Sequence, residues 1–181
     1  MFKAILLTAA LSTSALLAPA ALAGSGSGDA PSVQAQLSHE DREFIDDAAQ
    51  GGQLEVKLGQ VVVKRGASDE VKRFAQRMID DHGKINQRLT DVARQNGVAV
   101  PQELDKKHQE QLDKLSQYSG SKLDEEYISA TVSAHKDDVS AFEKEAKDTK
   151  DPALKQFAAS TLPTLQEHLE LAKQVEDHLK K

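Results

Sequence analysis

Cysteine and tryptophan are absent from the 181 residues, and proline, glycine and aromatic side chains are scarce. Without cysteine the chain forms no disulfide, offers no thiolate to a metal or a substrate, and lacks the lipid-carrying residue of a bacterial lipoprotein. Stability must come from packing. Five prolines and ten glycines, beside 39% hydrophobic and 29% charged residues, suit soluble amphipathic helices better than disorder or a β-sandwich. Positive charge is the minority sign: 23 Lys and Arg stand against 29 Asp and Glu, for a net charge of -6. Such a surface repels nucleic-acid phosphates and anionic lipid heads, which excludes nucleic acid as an expected partner. No Ser-His-Asp set, phosphate loop or dinucleotide fingerprint can be located, so catalysis without a metal has little support.

Long apolar runs are confined to the beginning of the chain. Met1-Phe2-Lys3 carries a positive charge, Ala4 to Leu22 is apolar and small, and Ala21-Leu22-Ala23 has the form of a signal-peptidase site. Residues 1–23 therefore read as a secretory signal cleaved after Ala23, its apolar run broken by Ser12, Thr13, Ser14 and Pro19 as a lasting anchor would not be. The expected product is periplasmic or secreted, without a stable membrane anchor. Residues 24–37, opening Gly-Ser-Gly-Ser-Gly, read as a flexible linker, and residues 38–181 as one folded domain.

That domain divides into four long segments with the three-and-four spacing of amphipathic helices. The first opens at Ser38, with Asp41 at the capping-box position, and stops at Gly66, with Phe44, Ala48, Gly51, Glu55, Leu58 and Val62 inward. The second opens at Ser68 and ends at Asn96-Gly97, with Val71, Ala75, Met78, His82, Ile85, Leu89 and Val92 inward. The third runs from Ser121, paired with Asp124, to Asp148, and turns Ile128, Thr131, His135, Phe142 and Ala146 inward. The fourth has Asp151 as cap and Pro152 in its first turn, with Leu154, Ala158, Thr161, Leu165, His168, Ala172, Val175 and Leu179 inward. Short links make two helical hairpins, and a long crossover with a short extra helix near 107–117 joins them. The fold class expected is all-α, an antiparallel four-helix bundle. Pro163 is expected to kink the last helix, and Gly51-Gly52 and Gly83 to thin the bulk beside the polar stripe positions.

Glu55, His82, His135 and His168 each fall on the inward stripe of a different helix, where a charged side chain is costly unless paired. If the two hairpin turns lie at the same end of the bundle, these residues sit about 11, 16, 15 and 18 residues from it, a spread of roughly 10 Å. One site with a ligand from every helix is then geometrically feasible. Three imidazoles and a carboxylate suit a divalent transition metal, zinc first, with copper, nickel or iron also accommodated. Asp81 and Asp138 are further ligands or groups that orient an imidazole. Imidazole must be neutral to ligate, so metal loss is expected below about pH 6. The competing reading makes the four residues hydrogen-bonded core groups of a metal-free module that binds another envelope protein. A weaker third reading is an enzyme with an open metal position. His39, His108 and His178 read as solvated.

Several strings point to a family: Asp41-Arg42-Glu43-Phe44, Ala48-Ala49-Gln50-Gly51-Gly52, Glu55-Val56-Lys57-Leu58-Gly59, Val71-Lys72-Arg73-Phe74-Ala75, Asp81-His82, Ala134-His135-Lys136, and Leu162-Pro163-Thr164-Leu165 with His168-Leu169. Over most of residues 40–175 the chain resembles a large bacterial family of exported proteins, the domain-of-unknown-function family numbered 4142. The resemblance implies a ferritin-like bundle outside the cytoplasm, in a family whose members are also described as outer-membrane proteins. Nothing in the chain resembles the alternating ten-residue strands of a barrel. Ferritin-like di-iron sites need Glu-x-x-His from two helices, and here Ile79 and Leu165 stand where those glutamates would be.

Overall fold

The structure, a computed structural model, describes residues 37–181, so the expected signal segment and most of the linker lie outside the described residues. Five helices make up the regular structure of these residues: α1 (His39–Arg65), α2 (Asp69–Gln95), α3 (Lys106–Leu115), α4 (Gly120–Asp148) and α5 (Pro152–Leu179). Among the described residues no helix is long and apolar enough to cross a membrane.

Local chemistry sets most of the boundaries. At α1 the Asp41 amide donates to Ser38 Oγ at 3.0 Å and the Ser38 amide donates to Asp41 Oδ2 at 2.7 Å, a reciprocal box that satisfies two otherwise orphaned donors. Ser68 caps α2, Asp105 caps α3, and Asp151 caps α5 with Pro152 in the first turn. α2 ends as its Asn-Gly dipeptide predicts, with Gly97 at φ 68. Gly66 ends α1 for a different reason than expected. Its backbone is extended, at φ -66 and ψ 160, and what demands glycine is space: a Cβ there would stand 2.5 Å from Asp124 Oδ1.

The start of α4 corrects the sequence reading. The helix begins at Gly120 with Ser119 as cap, and no side chain closes that cap. Asp124, expected to complete a box with Ser121, reaches across to the α1–α2 link, where its Oδ2 accepts from the Ala67 and Ser68 amides at 3.0 and 2.7 Å. Leu37, placed at the end of the linker by composition, is buried in an apolar cluster with Ile45 and Phe157.

α1 packs along α2, and α4 along α5, while α1 also meets α4 and α2 meets α5. The two hairpin turns do not share an end, which corrects the assumption used to compare heights. The α1–α2 link lies beside the start of α4, where Gly66 bridges Gly120, and beside the end of α5, where His178 Nδ1 meets Glu70 Oε1 at 3.0 Å. The α4–α5 link lies at the far end, where Asn96 donates to Asp151. The crossover from α2 to α4 must therefore travel the length of the bundle. Three side chains of α1 hold it: Gln50 binds the Glu103 carbonyl and the Asp105 amide, Gln53 the Pro101 carbonyl, and Arg65 the carbonyls of Ser116 and Tyr118. α3 rides on this crossover and packs on α1 and α4.

The inward stripes agree with the sequence reading in the halves nearest the α1–α2 link and diverge in the first half of α1. There Ile45, Ala49 and Gly52 are buried, while Phe44, Ala48 and Gly51 are only half-buried. Close approach of α2 turns the helix this way. A Cβ on Gly52 would overlap the Asn86 side chain, and one on Gly59 would come 2.8 Å from Ile79 Cγ1 and 3.0 Å from the Ala75 carbonyl. Gly51 and Gly83 have open space around the Cβ position, so the glycines that thin the packing are Gly52 and Gly59. Pro163 lies inside α5, which continues through it.

Candidate metal centre

Apolar packing is interrupted at mid-height. One core cluster gathers Leu58, Val62, Met78, Leu123, Tyr127 and Ile128 toward the α1–α2 link, and a second gathers Ile45, Leu89, Phe142, Leu154 and Leu165 toward the other end. Between them lies a polar layer containing Glu55, His82, His135 and His168, all buried. Counted from the α1–α2 end, these four stand about 11, 16, 15 and 11 residues along their helices, a spread of roughly 8 Å at 1.5 Å per residue. Their common level survives reversal of one hairpin because each lies near the middle of a helix of 27 to 29 residues.

The three imidazoles form a triangle with every pair of ring centroids 5.4 Å apart. One nitrogen from each ring lies within 4.8 Å of the others. His82 Nε2 and His135 Nε2 are 3.4 Å apart. His135 Nδ1 sits 3.2 Å from the Thr131 carbonyl, one helical turn back, so Nδ1 carries the proton and Nε2 presents its lone pair to His82. His168 Nε2 lies 3.1 Å from Asp81 Oδ2, which places its proton on Nε2. His168 Nδ1, buried, has no hydrogen-bond partner. A buried polar atom left unpaired costs about 1–3 kcal/mol, and a cation held by the three rings would satisfy such a lone pair.

Of the residues expected at the site, the structure brings the three histidines into one group and places the acids around them. Glu55 lies outside the convergent set: its Oε1 is 3.9 Å from His135 Nδ1, behind the ring, and its Oε2 has no partner. Asp81 orients His168 and is held by Arg77 and Lys84. Asp138 is half-buried and lines the same groove as Glu55. His39, His108 and His178 stand away from the cluster, each against a carboxylate. Sequence reading did not assign Thr131 a role beyond its stripe position, although a carbonyl four residues before a histidine on one helix can be reached by its Nδ1 in a suitable rotamer. Tyr127, one turn earlier and fully buried, was not singled out at all.

Electrostatics follow from this burial. Burial, with the neighbouring imidazoles, pushes His82 well below the ordinary histidine value and His135 down to about 4. His168 is lowered too, by burial, against the opposing pull of Asp81. Burial, with the charge of Asp138, raises Glu55 to about 8, and burial with Asp137 raises Asp138 to about 7. Burial also tends to raise Asp81, but its hydrogen bond from His168 and the nearby cations win and hold it below the usual range. Neutral imidazoles with free lone pairs are thus available near neutral pH, beside carboxylic groups ready to ionise when positive charge arrives.

Fold and polar layer together define an all-helical bundle with a buried histidine cluster able to hold a metal ion. The chain belongs to the family described as domain of unknown function DUF4142, whose model matches residues 27–175, in agreement with the strings identified in the sequence. Its fold is similar to the crystal structure of a DUF305 fragment from Deinococcus radiodurans, at TM-score 0.68 and 11% sequence identity, over 78% of this chain and 98% of that one. At that identity the likeness concerns fold alone. No curated protein matches the chain.

Proposed function

We propose that the protein binds one divalent transition-metal ion between His82, His135 and His168, inside a ferritin-like four-helix bundle that works outside the cytoplasm in metal buffering, sensing or the response to envelope stress. The observation that carries the reading is the convergence of three buried imidazoles, two of which have one ring nitrogen engaged, His168 by Asp81 and His135 by the Thr131 carbonyl. Metal-bound histidines are commonly oriented in this way by a carboxylate or carbonyl on the other ring nitrogen. Two imidazole nitrogens on one tetrahedral zinc stand about 3.3 Å apart, from bonds of about 2.0–2.1 Å. The His82 and His135 nitrogens are already at 3.4 Å.

Three neutral imidazoles leave a dication's charge uncompensated. Asp81 and Glu55, on opposite sides of the cluster, supply the balancing negative charge, and Asp138 adds to it. Zinc is the first candidate, and copper, nickel or iron suit the same nitrogen donors. Burial has lowered the histidines, so proton competition should begin below the pH 6 expected of free imidazole. Export rests on the leader-like residues 1–23 and their Ala21-Leu22-Ala23 end.

Metal analysis of untagged protein, followed by chelation and thermal melting, tests the reading. One ion per chain is expected. At ligand a hundredfold above Kd, binding adds about 2.7 kcal/mol, or a midpoint rise of about 5–10 °C for a domain of this size. Absence of bound metal under zinc, copper, nickel and iron supply, with an unchanged midpoint, would overturn it.

A further inference from the structure

We propose that the cation enters through the groove between α1, α3 and α4, passing Asp138 and then Glu55 before it reaches the imidazoles. This inference rests on the metal-binding reading and adds the path. His82, His135 and His168 are 4%, 0% and 0% exposed, so an ion has to pass between helices to reach them.

The side of the cluster between α2 and α5 is closed by paired charges. Asp81 is the acid on that side, and Arg77 Nε lies 3.4 Å from its Oδ2 while Lys84 Nζ lies 3.6 Å from its Oδ1. Glu167 holds the Arg77 guanidinium in place at 2.7 Å. A dication approaching there meets two acids already engaged by Arg77, Lys84 and His168.

The opposite side is open. A cavity of about 550 Å³ lies between α1, α3 and α4, and its lining includes both groups that face His135 Nδ1: Thr131, whose carbonyl is 3.2 Å away, and Glu55, whose Oε1 is 3.9 Å away. The groove therefore ends behind the His135 ring, on its Nδ1 side, and that ring is the last barrier between Glu55 and the cluster. Asp138 lines it beside Glu55, and the exposed Asp47 and Asp137 stand at its mouth with Lys107 and Lys114 on the α3 edge. Acids outnumber bases along this wall. Glu55 is 5% exposed, and its Oε2 has no hydrogen-bond partner, so a buried carboxyl oxygen stands in the groove free to meet a donor or a cation. Six waters around an ion need about 180 Å³ at about 30 Å³ each, so the open end of the groove has room for a hydrated dication, which must shed water to go deeper. Glu55 and Asp138 can replace those waters one at a time, which lowers the cost of stripping the ion before the imidazoles take it.

Stopped-flow uptake of Co²⁺ by the untagged protein, read by the visible absorption of nitrogen-bound cobalt, tests the route. Glu55→Gln and Asp138→Asn should each slow association at least tenfold while the final absorbance stays at the wild-type level. Lys84→Gln on the other side should leave the rate within twofold. Unchanged rates in both acid variants, or a large acceleration in Lys84→Gln, would overturn the route while leaving the site intact. Loss of the final absorbance in Glu55→Gln would make Glu55 a ligand and overturn its part as a waypoint, with Asp138→Asn still testing the groove. Failure of the wild type to take up cobalt would instead remove the metal site on which the route depends.

Discussion

Replacing Glu55 by Gln should stabilise the metal-free protein, and by an amount that depends on pH. Glu55 is buried at mid-height with one oxygen unpaired, and burial raises it from the ordinary 4.5 to about 8. For a carboxyl raised on folding the sign runs against the usual acid. Below pH 4.5 it is protonated in both folded and unfolded chains and costs nothing. Between 4.5 and about 8 the unfolded chain ionises and the native one resists, so stability falls as pH rises. The interval, at about 1.4 kcal/mol per pH unit, sets a ceiling of about 5 kcal/mol by pH 8. Gln keeps the shape and never ionises, so its advantage over wild type should be near zero at pH 4.5 and reach several kcal/mol at pH 8. Urea unfolding in the presence of a chelator, at half-unit steps between those limits, measures the difference, because groups not coupled to Glu55 titrate alike in both proteins. The charge of Asp138 contributes to the shift, so Asp138→Asn in the wild-type background should reduce the slope. A stability difference that is flat across this range, or that grows toward acid, would refute the argument.

His135, lowered to about 4 by burial, works in the opposite direction. Stability present above pH 6.5 is lost as pH falls toward 4, about 3 kcal/mol in all, and His135→Gln should flatten that part of the urea-midpoint profile of the metal-free protein. Gly59→Ala forces a methyl group to within 2.8 Å of Ile79 and 3.0 Å of the Ala75 carbonyl, and should cost about 1–3 kcal/mol by overpacking. Gly83→Ala, with open space at the same atom, should gain up to about 1 kcal/mol from helix propensity, so paired thermal melts should move in opposite directions. Asp124→Ala leaves the Ala67 and Ser68 amides without their acceptor, at about 1–3 kcal/mol, and amide exchange should accelerate at both residues.

Helices were legible in the sequence because the caps are local: Ser38 with Asp41, Ser68 and Asp151 each act within three residues of themselves. The stripe on α2 was equally legible, since its apolar positions repeat without competition. α1 was harder to read in its first half because Phe44 looks like a core residue. Its ring instead packs edge-on against Phe142 from the rim, at 4.9 Å, while glycines bring α2 onto the adjacent face. Contacts between distant segments left no local trace. Asp124 has the spacing of a capping box and serves another helix, and Gln50 has the look of a surface amide yet is buried to hold the crossover. The histidine triangle could be anticipated from polar residues on apolar stripes, even with one hairpin assumed upside down, because mid-helix positions keep their level under that inversion. Which face of His135 would meet Glu55, and which would meet His82, depends on rotations about the helix axes that spacing does not encode.

The crossover's attachment to α1 through two amides and a guanidinium suggests how the molecule could be taken apart. Severing the backbone near Pro101 would yield two pieces, the α1–α2 hairpin and the α4–α5 hairpin with α3 ahead of it. His82 would go with the first, and His135 and His168 with the second. Neither fragment would own a complete donor set, so rejoining of the halves in solution should be strengthened by zinc and reversed by a chelator, which turns the cluster into a reporter of complementation.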